Sequence, residues 1–209
     1  MQKHLNTMSE WTDSREMKLN PLKTKYMIIN FCASQQFKTR LSINSSLLDQ
    51  VSETKLLGVI VQDDLSSGAN TKTILKKAYS RMVILRKLVE FEVKTDDMIN
   101  IYILFIRSVL EQSSVVWSSS LTEEQTNSLE RAQKVALRII FQSSYVSYNN
   151  ALKLSKLSTI KERYEHLLLR FAIKCTRNER TKGMLPMNDK KDQDSKKSMQ
   201  YQWQGKNDT

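Results

Sequence analysis

The stretch ANTKTILKKAYSRMVILRKLV, residues 69–89, sets Ile74, Ala78, Met82, Leu85 and Val89 three and four positions apart, which is one face of an α-helix. The spacing predicts a helix over about residues 70–91, with Asn70 as its N-cap. Neither Gly nor Pro occurs from residue 69 to residue 182, so nothing in that span forces a break. Thr95, Asp96 and Asp97 open the next helix and complement its dipole. Its run to about Leu110 is apolar nearly all round, as the centre of a bundle requires. Thr122 and Gln125 have capping-box spacing before a stripe of Leu129, Ala132, Ala136 and Ile139. Thr159 and Glu162 repeat that signature ahead of Ile160, Tyr164, Leu167, Leu168, Phe171 and Cys175. A shorter helix is expected near residues 148–154.

Upstream the texture changes. Pro21, Gly58 and Gly68 punctuate the chain. Met27, Ile29 and Phe31 alternate, as do Leu41 and Ile43, and residues 56–61 form a short apolar run rich in β-branched side chains. These read as strands, with a turn around Ser34, Gln35 and Gln36 and a helix over about residues 1–17. The expected fold class is α+β: a small antiparallel sheet of about three strands in residues 1–68, a helical bundle in 69–177, and a tail over 178–209. Asp189 to Ser198 is almost wholly polar or charged, too poor in apolar surface to offset the entropy of ordering, so the tail is expected to be disordered.

Composition narrows the classes. With 209 residues the chain can bury a real core. Four Gly and two Pro are too few for a turn-rich all-β protein. Lys and Arg number 33 against 22 Asp and Glu, a formal charge of +11 that attracts polyanions. Cys32 and Cys175 stand alone, which excludes a zinc ribbon, a CxxC redox pair and a disulfide scaffold, and points to a reducing, intracellular compartment. The N-terminus lacks the apolar segment of a secretory signal. The apolar run 98–110 holds Asn100 and Arg107 and falls short of the roughly 20 residues of a membrane span, so no membrane partner is expected.

Candidate chemistry is sparse. Asp63-Asp64 follows a predicted strand and Asp96-Asp97 starts a helix, but a two-metal clamp needs carboxylates converging from several strands, and no third one is placed to join them. A strand-end turn and a helix cap account for the two pairs, so no metal site is expected. His4 and His166 have no nucleophile or carboxylate constellation, and Gly58 and Gly68 belong to no phosphate-binding loop. Trp11, Trp117 and Trp203 form no stacking platform by spacing, and Trp117 reads as core packing. The positive charge is better organised. Arg163, His166, Arg170, Lys174 and Arg177 share one helical face, as do Arg131, Lys134 and Arg138, and Lys72, Lys76, Arg86 and Lys87 add a third row. Solvated surfaces that keep a bundle soluble would look the same; three rows in one bundle also suit a phosphate backbone.

The order of several segments resembles the C-terminal part of reverse transcriptases from non-LTR retrotransposons, the LINE-type and jockey-like elements. The segments are LNPLKTKYMIINF (19–31), ETKLLGVIVQDDLS (53–66), IYILFIRSVLEQSSVVW (101–117) and LERAQKVALRII (129–140), followed by the region from Ala151 to Arg163. The resemblance implies the end of a palm followed by a thumb-like bundle. It implies that Lys23 matches a candidate proton donor to the leaving pyrophosphate, and that Leu57 and Gly58 fall in the primer-grip turn. Lys72, Lys76, Lys87, Arg131, Lys134, Arg138, Arg163, Arg170, Lys174 and Arg177 would then hold an RNA or DNA template-primer. The family's catalytic aspartates and their Mg2+ would lie before Met1, so the expectation is a truncated RNA-directed DNA polymerase segment that is inactive alone and carries no cofactor of its own. A palm cut there would leave sheet edges exposed and the first 65 residues poorly stable. Ser67 stands where the family usually has Trp. The alternatives are a non-enzymatic basic helical module that binds RNA or DNA, or an inert helical product of a degenerate element.

Overall fold

The computed structural model describes residues 1–31 and 40–183. The turn expected at residues 34–36, Cys32, Trp203 and the tail from residue 184 lie outside them. The described residues divide between two units, 1–166 and 167–183.

In the first unit, α1 (Gln2–Asp13) is followed by β1 (Lys25–Tyr26), β2 (Ser42–Ile43), β3 (Ser46–Leu47), β4 (Asp49–Gln50), β5 (Glu53–Leu56) and β6 (Val59–Gln62). The class is α+β, as the sequence indicates. The strands differ from expectation. They form three separate two-stranded ladders, and β1 pairs with β4 in parallel. The alternation over 25–31 finds a ladder partner only at Lys25 and Tyr26, and Phe31 is 85% exposed. Residues 56–61 are not one strand but a hairpin. Leu56 pairs with Val59 across a two-residue loop, and Leu57 and Gly58 both take positive φ, +47° and +91°, as a turn matching the strand twist demands. Asn44 and Ser45 repeat that geometry between β2 and β3.

A small core of Leu41, Ile43 and Leu48, packed by Leu5, Leu19 and Tyr26, serves this N-terminal part. The Gln2 amide grips the backbone of Ser42 as both donor and acceptor, at 2.8 and 3.1 Å, tying α1 to β2. The helix ends at Asp13, short of residue 17.

The main core belongs to the helices: α2 (Gly68–Glu90), α3 (Thr95–Ile101), α4 (Ser108–Glu111), α5 (Ser114–Trp117), α6 (Glu123–Phe141), α7 (Tyr148–Ser155) and the start of α8 (Ile160–Arg177). Ile74, Ala78, Met82 and Leu85 of α2 bury against Leu129, Ala132, Ala136 and Ile140 of α6. Helix α2 begins before the expected cap, with Ser67 at the N-cap position. Asn70 is buried within the first turn, and its Oδ1 accepts from Ile60 N at 3.1 Å. Gln62 Oε1 likewise accepts from Ala69 N at 2.8 Å, so β6 is clipped to the start of α2. Ser67 is itself buried. Its hydroxyl donates to Trp117 O at 2.9 Å and pairs with the Ser120 hydroxyl. Trp117 is core, stacked edge-on against Tyr164.

The expected single helix over 95–110 is interrupted. Thr95 is its first residue and Lys94 its N-cap, and residues Tyr102–Arg107 form a π-helical turn. Such a turn displaces carbonyls from the regular ladder. Arg81 meets one of them, with Nη1 donating to Phe105 O at 2.6 Å and the guanidinium lying 4.4 Å from the centre of the Phe105 ring. Counted through the turns that follow, the apolar stretch Thr95–Ser120 reaches membrane-spanning length. Met98, Tyr102, Ile106 and Leu110 nonetheless form part of the helical core, and Arg107 is buried there with polar partners. The two capping boxes are present at Thr122/Gln125 and Thr159/Glu162.

In the second unit, the rest of α8 is followed by α9 (Glu179–Lys182), a single turn capped by the Asn178 side chain. The expected disorder therefore does not begin at residue 178; Asn178 supplies the N-cap that turns the chain once more.

Candidate nucleic-acid interface

Helix α6 buries Leu129, Ala132, Gln133, Ala136, Leu137 and Ile140, which fixes its outward face by the 3.6-residue period. Arg131, Lys134 and Arg138 stand on that outward face, all exposed. Two of them are held over aromatic rings. Lys134 Nζ lies 5.0 Å from the centre of the Tyr148 ring, and the Arg138 guanidinium 5.4 Å from that of Tyr145. Each such contact is worth about 0.5–1 kcal/mol at an exposed site and limits the rotamers the cation samples. Lys72, Lys76 and Lys87 are exposed on α2, on the side away from Ile74, Ala78 and Met82. The two aromatics escaped the sequence reading; the signal was Tyr145 and Tyr148 just after a helix whose outer row is cationic.

The row on α8 divides. Arg163 does not present a free charge: Nε and Nη2 donate to the two carboxylate oxygens of Glu111 at 2.9 and 3.0 Å, a two-pronged pair with the Arg163 side chain 32% exposed. Arg170, Lys174 and Arg177, in the second unit, are exposed, as is His166 at the end of the first. Lys23 is exposed in a turn in which Lys23 N and Thr24 N both donate to Asn20 O. Leu57 and Gly58 form the tip of the β5–β6 hairpin. An atom added at Gly58 Cβ would sit 2.8 Å from Gln112 Nε2, so the tip lies close against the end of α4.

Behind the α6 surface runs a buried polar network. Gln133, with no exposed surface, accepts from Tyr102 Oη at 2.8 Å and donates through Nε2 to Tyr148 Oη and Ser158 O at 2.8 and 3.0 Å. Tyr148 Oη donates to Glu130 Oε1, and Glu130 Oε2 accepts from Ile160 N at 2.9 Å. Arg107 Nη2 reaches Ser158, while its Nε lies 2.9 Å from Glu111 Oε1 as an ion pair without hydrogen-bond alignment. Burial raises the pKa of the Tyr102, Tyr148 and Tyr164 phenols well above the ordinary value, and the bond to Glu130 adds to the effect at Tyr148. Network and row share α6 and Tyr148: the chain that seats Tyr148 beneath Lys134 also anchors the first turn of α8.

The described residues do not fit a pair of Mg2+ ions. Asp64 lies in the turn after β6, where its carboxylate accepts from Ser66 N at 2.8 Å, a bond that lowers its pKa. Asp96 and Asp97 occupy the first turn of α3. Among the described residues no three His, Cys, Asp or Glu side chains converge to hold an ion.

The chain contains a region like that of a transposon reverse transcriptase. The match is to a protein of Drosophila melanogaster described as a probable RNA-directed DNA polymerase from transposon BS, 28% identical over 88 residues. Those residues are 42% of this chain and 10% of that protein, so the shared part is a small fraction of the relative's length. No family model and no solved structure matches the chain.

Proposed function

We propose that this chain is the part of a non-LTR retrotransposon reverse transcriptase that follows the catalytic palm strands, and that it holds template-primer nucleic acid. The observation that carries the reading is the outward face of α6, where Arg131, Lys134 and Arg138 form one row and two of the three rest on tyrosine rings. Seated cations lose less freedom on meeting phosphate than free ones do. Lys72, Lys76 and Lys87 of α2 offer a second cationic row on the side away from α6. The role of Leu57 and Gly58 in this reading is to present the hairpin tip to a primer strand, and that of Lys23 is proton donation in a polymerase whose metal-binding aspartates come from other residues. Holding, not nucleotidyl transfer, is the function proposed for the residues described.

Fluorescence polarisation of a labelled RNA–DNA primer-template against the full chain tests this. The three α6 cations in contact predict a log–log salt slope near −2.7, and an affinity loss of about 40-fold between 50 and 200 mM salt. The Arg131→Gln/Lys134→Gln/Arg138→Gln variant is expected to reduce the slope by about 2.7. Absence of binding, or an unchanged slope in the variant, refutes the interface.

A further inference from the structure

Helix α8 carries an apolar stripe of Ile160, Tyr164, Leu167, Leu168, Phe171 and Cys175, spaced three and four apart except for the adjacent Leu167 and Leu168. Its upstream members, Ile160 and Tyr164, are buried. Farther along the same stripe, Leu168 is 39% and Phe171 49% exposed. Arg170, Lys174 and Arg177 run along one border of this bare half, exposed and without an ion pair among the described residues. The other border of this half holds Ala172 and Thr176.

We propose that the downstream half of α8 is a docking face for an acidic amphipathic helix of a separate protein. Leucine-type side chains of the partner would cover Leu168 and Phe171, and carboxylates along one of its edges would meet Arg170, Lys174 and Arg177. A phosphate backbone would engage the cations but leave Leu168 and Phe171 in water, which separates this face from the α6 row. A second copy of the chain is disfavoured by charge. Each copy carries a formal +11; an antiparallel pairing would bring the cationic borders together, and a parallel one would set them against Ala172 and Thr176, which offer no carboxylate. A lipid surface selects cations on both flanks of an apolar face, whereas here Ala172 and Thr176 occupy one flank.

The test is polarisation of a fluorescein-labelled synthetic helix, with leucines at i, i+3, i+4 and i+7 and glutamates along one edge, against the full chain. Two control peptides replace the glutamates by lysines or the leucines by serines. The glutamate–leucine peptide is expected to bind and both controls to fail. Phe171→Ser, a charge-neutral change at an exposed position, is expected to weaken binding about tenfold or more. Arg170→Gln/Lys174→Gln weakens it and flattens its salt dependence, and Arg131→Gln/Lys134→Gln/Arg138→Gln leaves it unchanged. The proposal is overturned by no binding, by equal binding of the serine peptide, or by indifference to Phe171→Ser. It is also overturned if Phe171→Ser instead abolishes dimerisation in sedimentation or binding to phosphatidylserine vesicles while the peptide is ignored.

Discussion

Replacing Gln133 by Leu keeps roughly the same volume at a position with no exposed surface but removes three hydrogen bonds. Tyr102 Oη is then a buried donor with nothing to accept it. Ser158 O keeps only a long contact of 3.4 Å from Arg107 Nη2, whereas Tyr148 Oη retains Glu130. A buried polar group left unpaired costs about 1–3 kcal/mol, so one full orphan and one partial one predict a loss of about 2–4 kcal/mol. Urea denaturation should show a lower midpoint at constant m. Tyr102→Phe alone strands Gln133 Oε1 and should cost about 1–2 kcal/mol. Because the two residues answer each other, the double variant should be less destabilised than the sum by about 1–2 kcal/mol. Additivity of the two losses within about 0.5 kcal/mol would refute the network as the reason these polar side chains are tolerated in the core.

Gly58→Ala forces an L-residue to φ +91° and should lower stability by about 1–2 kcal/mol, read by thermal melting. Because the clashing atom is the end of the flexible Gln112 side chain, Gln112→Ala in the same chain should restore little of that loss. Thr122→Ala, which removes one half of a capping box, should cost about 1 kcal/mol in the same measurement. Alkaline stability follows from the tyrosines. Tyr102, Tyr148 and Tyr164 have folded pKa values above the unfolded value near 10, so their contribution is full below that pH and falls as pH rises beyond it. Ultraviolet titration of phenolate absorbance should show these three among the seven tyrosines ionising only as the chain unfolds, and three early-titrating phenols at their positions would contradict their burial.

The helices were legible because their signals are local. The stripe Ile74, Ala78, Met82 and Leu85 and the two capping boxes depend on residues within a turn or two of each other, and each lies where its spacing placed it. Pairing between strands is not local. Alternation at 25–31 marks a segment able to extend, but whether an edge finds a partner, and in which direction, depends on residues such as Asp49 and Gln50 far along the chain. Apolar flanks alone put Leu57-Gly58 in the middle of a strand, whereas the positive φ angles make it the turn that the resemblance implies.

Charge shows the same division in the candidate interface. The periodicity of α6 alone puts Arg131, Lys134 and Arg138 on one outward face. Arg163 obeys an equally regular spacing, yet Glu111, remote in sequence, engages it. Sequence determined where cations could align, since helical geometry repeats with a fixed period. Tertiary structure decided which of them stay available, since a carboxylate or an aromatic ring acts on a cation only within a few ångströms, and that proximity is set by how distant segments pack.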